Sequence, residues 1–311
     1  MKIIFAPLQG YTHFPYRNAH RQIFGGVDEY YTPFLRSEQG SIRNKDRRDV
    51  EQVNNALTPT VPQVIAANVE EFQPLCDFLQ QQGWGRVDLN MGCPFPMQVH
   101  SRRGCALLPH PDRVAPLIEV MRRRPEVRFS LKMRLGLDSS DEALRLLPLL
   151  NEAPIVQITL HPRLGTQQYK GSPDNDAFAQ FYEQCRIPLV YNGDLLSVED
   201  ISSTLARFPR LQGVMLGRGL LTRPWLAQEW RTATAESDGQ HLSQLLQMHD
   251  QMLCYAEQHL QGENQMLSFL RSFWDYPGSL LPKKTLKRLM KCGNLKNYLD
   301  ALSTLPRPPA L

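Results

Sequence analysis

The chain has 311 residues, 42% of them hydrophobic and 21% charged, with a formal net charge of +4 from 35 basic and 31 acidic residues. That balance excludes wholesale disorder, and no apolar run approaches the roughly 20 residues a membrane helix needs. Six cysteines without a CxxC pair and eight histidines without an HExxH spacing leave a disulfide framework or a metal centre unsupported.

In chain order, the first apolar stretch, IIFAP (3–7), ends at Pro7 and is too short for a secretory signal. A cytoplasmic protein is therefore expected. Further strand candidates are EYYTPF (29–34), PQVIAA (62–67), VDLNMG (87–92), FSLKMR (129–134), IVQITLH (155–161), PLVYN (188–192) and GVMLG (213–217). Amphipathic stretches such as EEFQPLCDFLQQQG, PDRVAPLIEVMRRR, SDEALRLLPLLNE and VEDISSTLARF lie between most of them. This alternation predicts parallel βαβ units, and eight units in this length predict an α/β (β/α)₈ TIM barrel over residues 1–231. A doubly wound open sheet is the alternative, weakened by the lack of a GxGxxG turn after the first strand. The polar connection 36–59 reads as a surface loop, or as a lid over the barrel mouth.

After Arg231 the small, polar run TATAESDGQ reads as a linker. Residues 240–311 carry only helical patterns, so a small C-terminal helical bundle domain is expected. Its segment LPKKTLKRLMKCGNLK (281–296) holds six basic residues and no acidic one. On a helix, Lys284, Arg288 and Lys291 form one stripe. That stripe is either a solvated face or a contact for nucleic-acid phosphates.

In such a barrel, chemistry collects at the C-terminal ends of the strands. There the sequence places Pro7, Leu8 and Gln9; Gln63; Asn90 and Cys93; Lys132 and Arg134; His161 and Arg163; Asn192, Gly193 and Asp194; Gly217 and Arg218. NGD and GRG follow the seventh and eighth strands, the usual phosphate position, and read together as a phosphate cradle. Lys132 sits inside an apolar strand. It is either an end-of-strand lysine reaching solvent or a cation held near an anionic or electron-accepting ring. His161 is either structural or a ligand-contacting group at the same mouth. A phosphate site, a cation and polar amide and imidazole groups suit flavin mononucleotide. Cys93, at a strand exit, then reads as a proton donor opposite the flavin, a task for a thiol of near-neutral pKa. Cys105, in RRGCALL, reads as structural.

These motifs carry a specific resemblance. APLQGYT, LNMGCP with the later GCALL, KMRLG, HPR, NGD and GRG, in this order and spacing, resemble the bacterial tRNA-dihydrouridine synthases. The resemblance covers residues 3–230, and the helical tail more loosely. It implies a flavin-binding TIM barrel that reduces the C5–C6 double bond of selected uridines in tRNA, with NADPH reducing FMN. It implies Cys93 as the C5 proton donor and Asn90 as a uracil contact. Pro7, Gln63, Lys132, His161, Asn192, Gly193, Gly217 and Arg218 are implied to hold FMN, with Leu8, Gln9 and Asp194 beside them. Arg163 is assigned to the substrate, and Lys284, Arg288 and Lys291 to the RNA backbone. A monomer is expected. Two departures stand out: the family commonly has an aspartate where this chain has His13, and HGRT where it has His161-Pro162-Arg163-Leu164. A small-pyrimidine flavin reductase and a non-catalytic RNA-binding barrel are the competing readings.

Overall fold

Strands such as VDLNM and FSLKM alternate apolar and polar residues, so each has two unlike faces. In the computed structural model, which describes residues 1–38 and 40–306, those faces are sorted by a barrel. The strands are β1 (Lys2–Phe5), β2 (Glu29–Tyr31), β3 (Ser37–Glu38), β4 (Ser41–Ile42), β5 (Thr60–Val61) and β6 (Gln63–Val64). They continue with β7 (Arg86–Met91), β8 (Arg128–Gly136), β9 (Ile155–Leu164), β10 (Leu189–Tyr191) and β11 (Gly213–Leu216). Nine of them form one sheet in the order β5-β2-β1-β11-β10-β9-β8-β7-β6, and every pairing in it is parallel. Its two ends, β5 and β6, are adjacent in sequence and separated only by Pro62. Proline has no N–H to give the ladder, but the Pro62 carbonyl still accepts from Asp88 N at 2.9 Å. The barrel thus has eight staves with a proline seam, as the sequence pattern predicts. The second stave is shorter than expected, because Pro33 follows it closely.

Val87, Leu89, Met91, Phe129, Leu131 and Met133 face outward and join the apolar layer beneath the helices. Inside the barrel, β1, β2, β5, β10 and β11 contribute an apolar lining of Ile4, Ala6, Tyr31, Val61, Val190 and Met215. Opposite them, β6 to β9 contribute buried Gln63, Asp88, Asn90, Ser130, Gln157 and Thr159. The barrel interior is therefore split into an apolar half and a polar half.

Helices follow the staves at Phe14–Ile23, Val69–Gln81, Pro111–Arg122, Asp141–Asn151, Asn175–Gln184 and Val198–Arg207. Their starts are set by local chemistry. Asn68 accepts from Glu71 N, and Ser197 and Asp200 form a reciprocal capping box.

The connection 36–59 is more ordered than its polar sequence suggests. It holds the β3–β4 hairpin, a helix at Asn44–Asp49 and a 3₁₀ turn at Gln52–Asn55. Fully buried Arg17 anchors it, donating to Thr12 O, Asp49 Oδ2, Asp49 O and Asn55 Oδ1 at 2.7–3.1 Å. Its anchored part is thus built into the fold rather than poised as a free lid.

From Asp238 the structure is helical: Asp238–His259, Glu263–Phe273, Lys283–Lys291 and Leu295–Leu302. These helices cover the Phe14–Ile23 helix through aromatic contacts. Phe14 meets Tyr255, Tyr16 meets Phe273, and His13 stacks on Phe269 with ring centres 4.9 Å apart. One apolar cluster runs through both parts. Residues 307–311 of the predicted helical segment lie outside the described residues. Among the described residues, no helix is long and apolar enough to cross a membrane.

Candidate active site

The register of β7, β8 and β9 brings the site together. Asn90 pairs with Lys132 and Lys132 with Thr159, while Arg134 pairs with His161. Because inward positions recur every second residue, Asp88 and Asn90, Ser130, Lys132 and Arg134, and Thr159 and His161 line one wall from floor to mouth.

Cys93 stands just beyond β7, half-buried. Asn90 Oδ1 accepts from the N–H groups of Gly92 (3.0 Å) and Cys93 (2.8 Å), which turns the chain sharply after the strand. From the other side, Cys105 N donates to Cys93 O at 3.2 Å. Gly104 makes this approach possible: its φ is +63°, and a Cβ there would lie 2.5 Å from Cys93 O. Burial raises the Cys93 thiol pKa above its ordinary value, against smaller opposing pulls from the Phe95 backbone and the Arg134 and Lys132 charges. The near-neutral thiol expected from the sequence is thus corrected: desolvation disfavours the thiolate. At neutral pH Cys93 keeps its proton. Cys105 is fully buried and structural, with its thiol pushed up to about 12.

Lys132 is half-buried in the wall, and burial lowers its amine to about 8, so it remains largely protonated at pH 7. Among the described residues no hydrogen bond or ion pair holds this amine. His161 is buried and kept neutral, its pKa well below the usual value through desolvation and the Arg134, Lys132 and Arg163 charges. Asn192 is buried and donates to Met215 O at 2.7 Å.

After β10 and β11 the structure brings together Gly193, Asp194, Gly217 and Arg218. Gly193 is required by space: a Cβ there would sit 2.3 Å from the Tyr191 hydroxyl. Asp194 accepts from Arg163 at 2.5 and 2.8 Å and from Arg218 at 2.6 Å. The Arg163 hydrogen bond, followed by its charge and that of Arg218, holds the Asp194 carboxyl below the usual range. Two sequence expectations change here. Arg163 was expected at the substrate, but its side chain is 1% exposed, bound to Asp194 and to Gly171 O at 2.6 Å. Asp194 was expected at the cofactor, but its carboxylate is occupied by two guanidinium groups, and a bare carboxylate beside a phosphate would repel it. Pro7 and Leu8 sit half-buried at the mouth, whereas Gln9 is exposed and donates to Phe34 O at 3.0 Å.

Three residues given no role by the sequence, Arg134 among those already placed at the strand ends, stand at this site. Arg134 donates to Gly92 O (2.9 Å), Leu164 O (2.8 Å) and Gln168 O (2.7 Å), tying the Cys93 loop to the loop after β9. Its spacing of two from Lys132 was the available signal. Tyr169 is exposed on that loop, with the Arg134 and Arg218 guanidinium carbons 5.5 and 5.1 Å from its ring centre. No local pattern pointed to it. Asp88, buried two residues before Asn90, carries a carboxyl raised to about 6 by desolvation.

Comparison with known proteins decides the family. The family described as dihydrouridine synthase (Dus) matches residues 4–305. The chain belongs to the dihydrouridine synthase family. Dus relatives include a tRNA-dihydrouridine(16) synthase of Pseudomonas syringae pv. tomato, 27% identical and spanning 97% of this chain and 90% of that protein. A probable tRNA-dihydrouridine synthase of Rhizobium leguminosarum bv. phaseoli is 28% identical across 73% of this chain and 70% of its own length. In fold, this Dus chain is similar to the structure of morphinone reductase in complex with tetrahydroNAD. That likeness has a TM-score of 0.52 and 9% identity, over 76% of this chain and 88% of the other.

The basic stripe expected of a Dus tail lies on the helix Lys283–Lys291. Lys284, Arg288 and Lys291 are exposed, as are Lys283 and Lys287, and Leu289 anchors the opposite face. No ion pair among the described residues holds any of the five. His13, the departure near the N-terminus, accepts from Tyr16 N and caps the helix at Phe14–Ile23, besides stacking on Phe269.

Proposed function

We propose that this protein reduces the C5–C6 double bond of specific uridines in tRNA, using FMN that is itself reduced by NADPH. The observation that carries this reading is a half-buried thiol at the strand exit of a polar-walled barrel mouth, beside a lysine amine with no hydrogen-bond or ion-pair partner among the described residues. That orphaned cation fits an electron-accepting flavin ring, on which negative charge builds when it is reduced. Lys132, Gln63, His161 and Asn192 would line the ring. Gly193, Gly217 and Arg218 would take the phosphate, with Arg163 and Asp194 bracing Arg218. FMN, when bound, supplies the hydride equivalent taken from NADPH. The protein's own part is to admit a uracil against Asn90 and to deliver the Cys93 proton to C5.

Partner choice rests on surface chemistry and on the relatives named for tRNA. Phe95, Met97, Tyr169 and Leu196 are exposed apolar or aromatic side chains in the segments that follow β7, β9 and β10, Met97 within the short helix Pro96–His100. Such groups suit the stacking of unpaired bases, and a target uridine must leave its own stack to react. The basic helix of the C-terminal helical tail would grip the backbone. We place the enzyme in the cytoplasm as a monomer.

The test is a dihydrouridine map of total RNA from cells with and without the gene. Loss at one defined tRNA position is the expected result. A map unchanged in the absence of any second dihydrouridine synthase would overturn the reading.

Neutralising Lys284, Arg288 and Lys291 together is expected to weaken tRNA binding and to flatten its salt dependence by about 2–3 in log–log slope. Titrations at several salt concentrations check this. An unaltered slope would place the RNA contact elsewhere.

A further inference from the structure

A directed chain of hydrogen bonds joins the barrel floor to the loop that carries Cys93. Ser130 Oγ donates to Asp88 Oδ1 at 2.6 Å. Gln63 Nε2 donates to Asp88 Oδ2 at 2.7 Å. Asn90 Nδ2 donates to Gln63 Oε1 at 2.8 Å. Asn90 Oδ1 then accepts from the Gly92 and Cys93 N–H groups. All four side chains are buried, and the strand register sets Gln63 beside Asp88 and Asp88 beside Ser130.

The direction of this chain is fixed from both ends: the Gly92 and Cys93 N–H groups only donate and hold Asn90 Oδ1, and the Asp88 carboxylate only accepts and holds the Gln63 amine. A side-chain amide has a donor end and an acceptor end, so Gln63, lying between Asp88 and Asn90, takes its direction from the groups at its two ends. A carboxylate only accepts. With Asp88 ionised, the Gln63 amine must face it, which turns Gln63 Oε1 toward Asn90. The Asn90 amine then meets an acceptor in Gln63 Oε1 while Asn90 Oδ1 holds the Cys93 backbone, so the carboxylate and the backbone donors enforce the same direction. Reversing either amide would set two donors or two acceptors against each other in a buried site, where an unmade hydrogen bond is costly.

We infer that Asp88 is a positioning residue: its carboxylate clamps the Gln63 amide and, through it, the Asn90 amide whose oxygen holds the turn that mounts Cys93. The chain leaves each amide one N–H uncommitted among the described residues. With the Lys132 amine, the wall then offers donors. Donors match the carbonyl oxygens of a uracil or a flavin and not the exocyclic amine of a cytosine. This last point rests on the function proposed above; the orientation of the Cys93 turn does not.

Charged and titratable neighbours of Asp88 are consistent with an ionised carboxyl at neutral pH. Lys132 on β8 and Arg86 on β7 favour the charge, whereas burial and the Tyr31 hydroxyl on β2 oppose it. The balance lies at about 6. Below that pH the acid gains a donor and the directing effect weakens.

The test is Cys93 alkylation by iodoacetamide, followed by peptide mass, in the folded chain and at pH 8. Exposed Cys254 serves as internal control. In Asp88→Asn a neutral amide replaces the charged acceptor and holds the Gln63 amine less firmly. Cys93 alkylation is expected to rise on the order of tenfold, because Asn90, clamped less firmly through Gln63, holds the two backbone N–H groups less firmly. Gln63→Glu alone sets two carboxylates together and is expected to loosen the turn as well. The double substitution Asp88→Asn with Gln63→Glu moves the charge one link along. Position 63 then only accepts, so the Asn90 amine must again face it, and Cys93 alkylation is expected to return toward the parent rate. Parent-like alkylation in Asp88→Asn overturns the inference, as does a double variant no better than Gln63→Glu. An equal rise at Cys254 also overturns it, since Asp88 would then act through general stability. Alkylation needs neither flavin nor RNA. A failure of the parent protein to reduce uridine would therefore sink the proposed function and leave this test intact.

Discussion

Replacing Cys93 by alanine is expected to lower dihydrouridine formation about 10²–10⁴-fold, the usual range for loss of a positioned proton donor, with flavin content close to that of the parent protein. The separation follows from geometry. Cys93 is mounted on the loop after β7, whereas the groups proposed to hold the cofactor stand on β6, β8, β9 and the loops after β10 and β11. The pH dependence has a definite sign. In the proposed mechanism the active form is the protonated thiol, and burial raises its pKa from the ordinary 9.0. The proton-donating step should therefore be flat through neutral pH and fall only on the alkaline side. A group with a near-neutral pKa would instead lose activity as pH rises through 7. Single-turnover reduction of unmodified tRNA by the pre-reduced protein, followed across pH 6–10, measures both effects. Full activity in the alanine variant would remove Cys93 from the mechanism.

Asp194→Ala is expected to destabilise the fold by roughly 2–4 kcal/mol, because it strands the buried Arg163 guanidinium without its counter-charge. The figure sits toward the low end for a buried pair, since Asp194 keeps 32% of its side-chain surface exposed and is partly screened. For a chain of this length that is a fall of about 4–8 °C in Tm. The same change frees Arg218, which Asp194 holds at 2.6 Å, so flavin affinity should fall too. Arg218→Ala is the matched control: Arg218 is 35% exposed, and its loss should weaken flavin binding while leaving Tm nearly unchanged. The linkage sign can be checked independently. The Asp194 pKa is lowered on folding, so its contribution to stability is present above the unfolded value near 4 and is lost as pH falls through the folded one. The Tm difference between parent and Asp194→Ala should therefore shrink in acid. A constant difference down to pH 3 would mean that the ion pair is not its source.

Both predictions turn on residues whose presence at the site was legible and whose role was not. Cys93 is marked by its place at a strand exit, yet its protonation depends on how much protein surrounds the sulfur. Asp194 and Arg163 both follow strands, as the sequence pattern shows. Only the folded chain reveals that β9 and the loop after β10 set them against each other, so that one neutralises the other. Tyr169 lies on a loop with no local pattern, and only its position between Arg134 and Arg218 identifies it. The connection 36–59 was misleading for a related reason. Its polar composition matches a surface loop, but Arg17, a helix away, supplies the buried hydrogen bonds that order it.

What the sequence determines by itself is periodic or local. Alternation of apolar and polar residues in β7, β8 and β9 decides which side chains face the barrel interior, and the strand–helix alternation decides that a parallel barrel forms. Amphipathic helical patterns after Arg231 decide that the tail is all helix, and the lysine and arginine spacing decides that its stripe faces water. What the tertiary structure alone decides is pairing and environment: the partners of Arg163 and Arg17, the protonation of Cys93, and the directed chain from Ser130 through Asp88 to Asn90. The physical reason is range. Strand and helix periods are set by neighbours within a few residues, whereas desolvation and hydrogen-bond partnership depend on segments that meet only when the barrel closes.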